Sequence, residues 1–232
     1  MRSIRIHVFG PCILAVVFAI HGIAEAPDLS GIYWATEYNA KIQIAGALPL
    51  TVAGKAAYDK NVAGLKDGSI MDAARRLCVP DGLPRVLATP YPFEIVQGPP
   101  GQVTMIYELN HQVRAIRLDK PLPAEKELIS LPFYNGHSVG HFEGDTLVVD
   151  NIGFKENTWL DLAGHPHSDA LHIIERFRRP DFGHMEVQVT IDDPKAYKKP
   201  WTARIAWDLF PDTDLLDWVC ENEKDLVRLS GK

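Results

Sequence analysis

Two segments near the C-terminal end of the chain alternate strictly between apolar and polar residues. In Met185–Ile191 every second residue is apolar, and Trp201–Leu209 repeats the pattern with larger side chains. Because successive side chains of a strand point to opposite faces of a sheet, this period of two predicts strands with one buried and one solvated face. Such strands are typical of antiparallel sheets, whereas parallel sheets use continuous apolar runs.

Further β-rich segments, separated by turn residues, extend this pattern over most of the chain. Their ranges are 29–35, 93–97, 103–109, 113–118, 138–142, 146–154, 171–178 and 215–220. Short links between such strands predict a mainly β fold, either an antiparallel up-and-down (lipocalin-like) barrel or a strongly curved sheet. A two-sheet sandwich is the alternative. A helix is predicted over 52–65 behind Thr51, and a second, capped by Ser69, over 69–77.

The first 24 residues have the layout of a secretory signal peptide. Arg2 and Arg5 precede the apolar run 12–20, and small residues then allow cleavage after Ala24 or Ala26. The protein is therefore expected to be periplasmic or secreted, with residues 25–232 forming a single domain. No later segment approaches the roughly 20 apolar residues of a membrane span, so none is predicted.

The charge of the exported part argues against one class of partner. Without residues 1–24 the net charge changes from −6 to −8, because this segment contains Arg2 and Arg5 but no acidic residue. Nucleic acid requires clustered Lys and Arg against its phosphates, and the chain has no basic run. A small-molecule ligand or substrate is therefore the expected partner, and nucleic acid is not.

Cys78 and Cys220 are the two cysteines outside the predicted signal peptide. In an oxidising compartment an even pair of cysteines indicates a disulfide. The closed loop would contain 143 residues, for which chain entropy gives a stabilisation of at most about 5 kcal/mol. Two unrelated buried thiols are the alternative. The bridge is the prediction.

The segment 136–179 concentrates groups that exchange protons or bind metal ions. Five of the seven histidines outside the predicted signal peptide lie in it: His137, His141, His165, His167 and His172. Several Asp and Glu residues accompany them. Histidine has the unperturbed pKa closest to neutrality, so the cluster indicates acid–base chemistry or a metal site.

Glu175 is the most informative residue of this segment. On its predicted strand it shares a face with Ile173 and Phe177, so its carboxylate should point into the apolar interior. A buried carboxylate must be paired or take a raised pKa. It is therefore either a structural ion pair, with Arg114 as partner, or a general acid or base. An offset of one residue would turn His172 inward instead.

Gly136–Gly140 matches the G-x-S-x-G pattern of serine hydrolases. That nucleophile elbow requires a buried parallel strand before the serine and a helix directly after it. Neither is predicted around Ser138, so the elbow is rejected. Ser138 is retained as a ligand contact.

His165 and His167 have a spacing that suits a metal ion. In an extended segment their imidazoles would point the same way and share an ion. The alternative is a loop fixed by Pro166, in which the histidines bind backbone groups. No metal is predicted, since the chain offers no cysteine ligand beside them and no HExxH helix.

The longest motifs of the chain resemble those of a family of exported bacterial proteins. They are GHSVG-x-x-EGDTLVVD, GHPHSDALH-x-x-ERFRR and TIDDPKAY-x-KPWT, and the resemblance extends from about Leu29 to Asn222. It implies export and a single domain but no particular reaction. The chain has His141 and Phe142 before Glu143, where similar proteins tend to have Trp. The succession of strands is also similar to that of lipocalin-like barrels.

These features predict a cofactor-independent enzyme of lyase, isomerase or hydrolase type that acts on a small apolar or aromatic molecule in a barrel cavity. No phosphate loop, dinucleotide fingerprint or haem motif is present, which leaves acid–base chemistry of side chains. The predicted catalytic residues are His137, Asp161, His167, His172 and Glu175. The predicted substrate contacts are Tyr107, Arg114, Ser138, Trp159 and Tyr197.

Two further expectations complete this interpretation. Glu175 and at least two of the histidines at 137, 167 and 172 should face a common pocket, with Arg114 available to stabilise negative charge. The alternative function is a non-catalytic, lipocalin-like binding protein for such a molecule. That alternative gives no reason for five histidines in one segment.

Overall fold

The computed structural model describes residues 26–36, 41–42, 47–124, 133–218 and 220. The predicted signal peptide lies outside them. The strands are β1 Gly31–Ala35, β2 Phe93–Gln97, β3 Gln102–Tyr107, β4 Gln112–Leu118, β5 His137–Glu143, β6 Thr146–Ile152, β7 His172–Asp181, β8 His184–Asp192 and β9 Trp201–Leu209. Two α-helices, α1 (Val52–Asp67) and α2 (Ala73–Leu77), lie between β1 and β2, and 3₁₀ turns cover Arg85–Ala88 and Leu109–His111.

The nine strands of the described residues form a closed barrel, in which each strand pairs with its neighbours in the chain and β9 pairs with β1. These pairings are antiparallel except for β4–β5, which is parallel over Ile116–Leu118 and Ser138–Gly140. At this exception β4 and β5 run in the same direction, and residues 119–136 separate them in the sequence in place of a tight turn. The predicted up-and-down barrel is confirmed, the sandwich is not formed, and one connection departs from strict up-and-down order.

Large side chains fill the interior of this barrel. The apolar faces of β8 and β9 point inward, as their alternation predicted. Trp207 illustrates the packing, with ring centroids 5.0 Å from Phe93 and 6.3 Å from Phe177, and its Nε1 donates to the Leu87 carbonyl at 3.0 Å. Burying a side chain the size of Phe contributes about 1.5–3 kcal/mol. The cavities described below lie at the barrel wall and at one end of the barrel.

The two ends of the barrel differ in the length of their connections. Tight turns close one end, between β2 and β3, β5 and β6, and β7 and β8. Three longer connections lie at the opposite end: the segment 36–92 with both helices, the loop 153–171 and the loop 193–200. We call this end the connection end. Loops supported by a rigid barrel are a usual place for functional side chains.

α1 begins where the sequence predicted and packs against the loop 193–200. Thr51 caps the helix by accepting from the Gly54 amide at 2.9 Å. A Cβ on Gly54 would overlap the carbonyl oxygen of Ala196, so only glycine permits this close approach. The Thr51 amide donates to the same carbonyl at 2.9 Å. The cap therefore fixes α1 across the connection end.

α2 is shorter than predicted. It begins at Ala73 because Asp72, and not Ser69, caps it by accepting from the Ala74 amide at 3.2 Å. The amide of Ser69 is instead bound by the Asp67 side chain at 2.8 Å, in the turn that ends α1. The helix therefore starts at the residue after Asp72, four positions later than predicted.

The predicted disulfide is present. Cys78, at the C-terminal cap of α2, is bridged to Cys220 with a Cα–Cα distance of 5.4 Å, a normal separation for such a bond. It ties the C-terminal segment to the connection end and is compatible with an exported protein. No helix among the described residues has the length and apolar character needed to cross a membrane.

Candidate functional site

An ion pair lies inside the barrel. Glu175 on β7 and Arg114 on β4 face each other, and their side chains are 0% and 2% exposed. The guanidinium donates to both carboxylate oxygens, from Nη1 to Oε1 at 3.1 Å and from Nη2 to Oε2 in a shorter contact. A charge buried this deeply is tolerated only when it is paired. The inward orientation of Glu175 and the ion pair considered from the sequence are both confirmed.

Ser138 and Asn151 complete the polar network. Ser138 Oγ accepts from Arg114 Nε at 2.9 Å and donates to Asn151 Oδ1 at 2.6 Å. Asn151 Nδ2 donates to Glu175 Oε2 at 2.8 Å. Both carboxylate oxygens are thus occupied by protein donors, which is typical of a network that specifies the packing of a core. Sequence reasoning overlooked Asn151, although it alternates with Val149 on the apolar face of β6.

Ser138 lacks the surroundings of a hydrolase nucleophile. It lies inside β5, and the chain continues as strand to Glu143 before it turns into β6. Its hydroxyl donates to the amide oxygen of Asn151 and not to an imidazole. The strand–turn–helix geometry of a nucleophile elbow is therefore missing around Ser138.

Tyr107 lies beside the ion pair. Its hydroxyl donates to the Met105 sulfur at 3.5 Å. Burial raises the pKa of Tyr107 to about 12, with Arg114 opposing this rise and Glu175 adding to it. The phenol therefore stays protonated at neutral pH and does not act as a base there.

A cleft of about 430 Å³ opens the barrel wall between β4 and the residues before β5. It is lined by His137 and Phe133 and extends to Arg114 and Ser138 of the network. The cleft forms because β5 pairs with β4 only over Ile116–Leu118, so the first half of β4 has no strand beside it on that side among the described residues. His137 is half-buried, with its ring edge-on to Phe133 at 4.8 Å.

His172 points away from this cleft. It lies on the outer face of β7, where its Nε2 is 3.0 Å from Asp150 Oδ1 and the side chains are 34% and 31% exposed. Glu175, three residues further on, takes the opposite face. The cleft contains His137 but neither His167 nor His172. The common pocket expected for Glu175 and two histidines is therefore not formed.

His167 is held inside the loop 153–171. Its Nδ1 lies 3.2 Å from the Ser168 carbonyl oxygen, which can only accept, so Nδ1 has the proton. Nε2 then accepts from the Thr158 hydroxyl at 3.1 Å. Burial lowers the pKa of His167, and the hydrogen bond to the Ser168 carbonyl opposes this effect. Both nitrogens of a neutral imidazole are thus engaged in holding the loop.

Replacing His167 by Gln is expected to reduce the acid sensitivity of the fold. Because the folded protein lowers this pKa, protonation favours the unfolded chain, and stability present above the unfolded pKa of about 6.5 is lost as pH falls below it. The limiting slope for one proton is about 1.4 kcal/mol per pH unit. Urea unfolding at about pH 7.5 and about pH 5.5 should show a smaller difference in His167→Gln than in the wild type.

His184→Gln is the matched control for this measurement. Asp181 raises the pKa of the exposed His184, so its protonation favours the folded state as pH falls. Its loss should widen the difference between the two pH values, opposite to the change expected for His167→Gln. An unchanged pH dependence in His167→Gln would contradict the buried neutral state.

His165 and Asp161 form a hydrogen-bonded pair in the same loop. Nδ1 of His165 lies 2.7 Å from Asp161 Oδ2, and the side chains are 13% and 3% exposed. Because a carboxylate only accepts, Nδ1 has the proton, so in the neutral form of the ring Nε2 presents a lone pair. A carboxylate that orients an imidazole in this way prepares it for proton transfer.

Backbone amides hold the Asp161 carboxylate in place. Oδ1 accepts from the amides of Ala163 at 3.0 Å and His165 at 3.3 Å. Oδ2 accepts from the amide of Ile42 at 3.3 Å, in addition to the imidazole. With these four donors the carboxylate fixes both the loop and the ring. The sequence analysis predicted Asp161 as a catalytic residue but considered His165 only as a metal ligand. The signal it missed is the spacing of four residues in a loop with Gly and Pro, which allows the two side chains to meet.

The imidazole of His165 borders a cavity of about 610 Å³ between α1 and residues 47–50. Tyr58 of α1 stacks flat on it, with ring centroids 4.5 Å apart and an interplanar angle of 2°. Three lysines also border the cavity: Lys41, Lys55 and Lys198. Lys55 is paired with Asp59 at 2.6 Å. A lone pair beside ammonium groups can remove a proton while the developing negative charge is stabilised.

Tyr197 and Trp159 belong to the surroundings of this loop. The Tyr197 hydroxyl donates to the Pro166 carbonyl at 2.9 Å, and burial raises the pKa of Tyr197. Trp159 is half-buried in the loop.

His165 and His167, on either side of Pro166, have different hydrogen-bond partners. Within the described ranges, no group of three or more His, Cys, Asp or Glu side chains is placed to hold a metal ion.

The residues predicted from the sequence thus fall into two groups, and His172 belongs to neither. The group at the β4–β5 wall contains Tyr107, Arg114, His137, Ser138 and Glu175. The group at the connection end contains Trp159, Asp161, His167 and Tyr197, to which the structure adds His165. Comparison of the chain with known proteins finds no matching family model, no matching curated protein and no matching solved structure.

Proposed function

We propose that this protein is an exported, cofactor-independent acid–base enzyme of lyase, isomerase or hydrolase type, acting on a small molecule. In this proposal His165, oriented by Asp161, is the general base and acid. The substrate binds in the adjoining cavity and has a carbonyl or ester group on which negative charge develops.

The observation that carries the proposal is the hydrogen bond from His165 Nδ1 to the buried Asp161 carboxylate at 2.7 Å. It turns the Nε2 lone pair away from Asp161 in an imidazole that borders a cavity. Lys41 and Lys198 place positive charge on the same cavity, which favours a transition state with a developing oxyanion or enolate. The disulfide and the resemblance to exported proteins support the location outside the cytoplasm.

Two probe reactions are tested, and replacing His165 by Gln is expected to lower the rate of the one that the protein catalyses by about 10²–10⁴. The probes are the hydrolysis of p-nitrophenyl acetate and the exchange of the α-protons of acetophenone for solvent deuterium. They separate hydrolase chemistry from the proton abstraction of lyases and isomerases. Glutamine keeps a polar side chain of similar length and removes the titratable nitrogen, and circular dichroism checks the fold.

His184→Gln is the matched control. His184 Nδ1 is also 2.7 Å from an aspartate, Asp181, but on an exposed turn at the opposite end of the barrel. Its loss should leave both probe rates within about twofold, since a solvent-exposed imidazole has no bound substrate to act on. If the wild type exceeds His165→Gln in neither reaction, the assignment of His165 as the base is wrong.

The second candidate function is a non-catalytic binding protein for a small apolar or aromatic molecule. The β4–β5 cleft favours it, because aromatic and proline side chains line about 430 Å³ there, beside polar side chains such as Gln112, Arg117 and Asn135 that could orient a ligand. Under this alternative both probe reactions proceed at the uncatalysed background rate. A bound ligand then shifts the NMR signals of Phe133 and His137. The histidine pair at the connection end is the reason for preferring the enzyme.

A further inference from the structure

We propose that the cavity beneath the disulfide, which we call the disulfide cavity, binds a single-ring aromatic molecule with a neutral carbonyl group. The carbonyl oxygen accepts a hydrogen bond from Nη1 of Arg85. The cavity measures about 180 Å³, and its lining includes Arg85, Tyr91, Leu109, Trp218 and Cys220. The His165 imidazole does not line this cavity, so ligand binding here can be tested whether or not His165 is catalytic.

Arg85 supplies the polar contact. It is 4% exposed, and it forms ion pairs from Nη2 to Asp72 at 2.6 Å and from Nε to Asp81 at 2.8 Å. Nη1 is also buried, and it has no hydrogen-bond partner in the part of the chain that the structure describes. A buried N–H without an acceptor is costly. Since Arg85 lines the cavity, a ligand oxygen would satisfy it.

The charges around Arg85 favour a neutral acceptor over an anion. One guanidinium faces two carboxylates there, and Asp161 adds a third acidic side chain to the cavity wall. Burial raises the pKa of Asp81 and Arg85 opposes this rise, as expected where acidic groups are crowded. The other cation of the wall, Arg75, is exposed, where solvent and salt screen it. A carbonyl oxygen accepts without adding negative charge.

The size and walls of the cavity select a single aromatic ring. Tyr91 and Trp218 contact each other with ring centroids 5.0 Å apart at 50°, and the buried Leu109 adds apolar surface. An engineered apolar cavity of about 150 Å³ takes up benzene. A cavity of about 180 Å³ therefore has room for one ring with a small substituent, and not for two fused rings.

The disulfide holds one wall of this cavity. Cys220 lines it and is bonded to Cys78 at the end of α2. Two hydrogen bonds support the same segment, from the Cys220 amide to Asn110 Oδ1 at 3.0 Å and from the Asn110 amide to the Trp218 carbonyl at 3.2 Å. Reduction removes the covalent restraint on the wall formed by Trp218, so it should weaken binding.

Titration of the full-length protein with benzamide tests the proposal, followed by tryptophan fluorescence and ¹H–¹⁵N NMR spectra. We expect a Kd on the order of 1 mM, as for a fragment of this size, with the largest shift at the Trp218 indole. Benzoate should bind at least about tenfold more weakly because of the acidic neighbours, and naphthamide should not bind. Reduction of the disulfide should raise the Kd for benzamide.

Three variants locate the site. Trp218→Ala removes an aromatic wall and should raise the Kd about tenfold or more. Arg85→Lys keeps the charge but replaces the planar guanidinium by one ammonium group, which Asp72 and Asp81 both attract. It should therefore reduce the preference for benzamide over toluene. Phe182→Ala, which removes a 76% exposed aromatic at the opposite end of the barrel, should bind as the wild type does. The proposal is overturned if benzamide does not bind, if benzoate binds equally well, or if Trp218→Ala retains wild-type affinity.

Discussion

Replacing Glu175 by Gln is expected to lower the free energy of unfolding by about 3–5 kcal/mol. The substitution keeps the shape of the side chain and leaves the Arg114 guanidinium buried without its counter-charge. It also sets an amide N–H₂ group against the donors of Arg114 and Asn151, which now bind the two carboxylate oxygens. The midpoint of urea unfolding should fall with an unchanged dependence on denaturant, which measures the change in stability.

Glu143→Gln is the matched control for this effect. Glu143 also pairs with an arginine, Arg176, at 2.7 Å, but the two side chains are 49% and 41% exposed. Water and salt screen an exposed ion pair, which therefore contributes little to stability, so the control should lose little. The double substitution Arg114→Leu with Glu175→Leu should be less destabilised than Glu175→Gln, since it leaves no buried charge unpaired. Equal losses for Glu175→Gln and Glu143→Gln would contradict the role of the buried pair.

Alternation predicted those parts of the fold in which burial repeats along the strand. For β8 the predicted range was 185–191 and the strand is His184–Asp192, and for β9 the two coincide at Trp201–Leu209. The same alternation correctly predicted that the Glu175 side chain points into the barrel. The parallel contact between β4 and β5 was not predictable in this way, because residues 119–136 have no apolar period and the direction of pairing depends on where that connection returns. The start of α2 was missed because both Ser69 and Asp72 are capping residue types, and the structure uses Asp72.

The candidate site was predictable only where it lies on strands. Arg114 and Glu175 could be paired from the faces they occupy on β4 and β7. The position of His165 could not, because its loop has no period and is fixed by contacts with distant segments. The Ile42 amide binds Asp161 across 119 positions, and the Asn61 side chain donates to the Gly164 carbonyl across 103 positions. Such long-range contacts determine which histidine of the cluster faces a cavity, and they cannot be predicted from the composition of the segment.

Replacing Asp161 by Asn is expected to lower the rate of the His165-dependent probe reaction by about 10²–10⁴. The amide can present its N–H₂ group to the imidazole, in which case His165 moves its proton to Nε2 and loses the lone pair on that nitrogen. It can instead present its oxygen to the imidazole, and the N–H₂ group then opposes the amides of Ala163 and His165 that now donate to Oδ1. Both arrangements disturb the base, and the second also costs about 1–3 kcal/mol of stability.

Two measurements separate a positioning role of Asp161 from general damage to the loop. Long-range ¹H–¹⁵N NMR spectra report the tautomer of His165 and should show Nδ1–H in the wild type and a gain of Nε2–H in Asp161→Asn. Asp181→Asn makes the same change beside the exposed His184 and should leave the probe rates within about twofold, since no substrate is held there. If Asp161→Asn changes the tautomer and the rate stays at the wild-type level, His165 is not the base, and the binding function at the β4–β5 cleft becomes the better explanation of the protein.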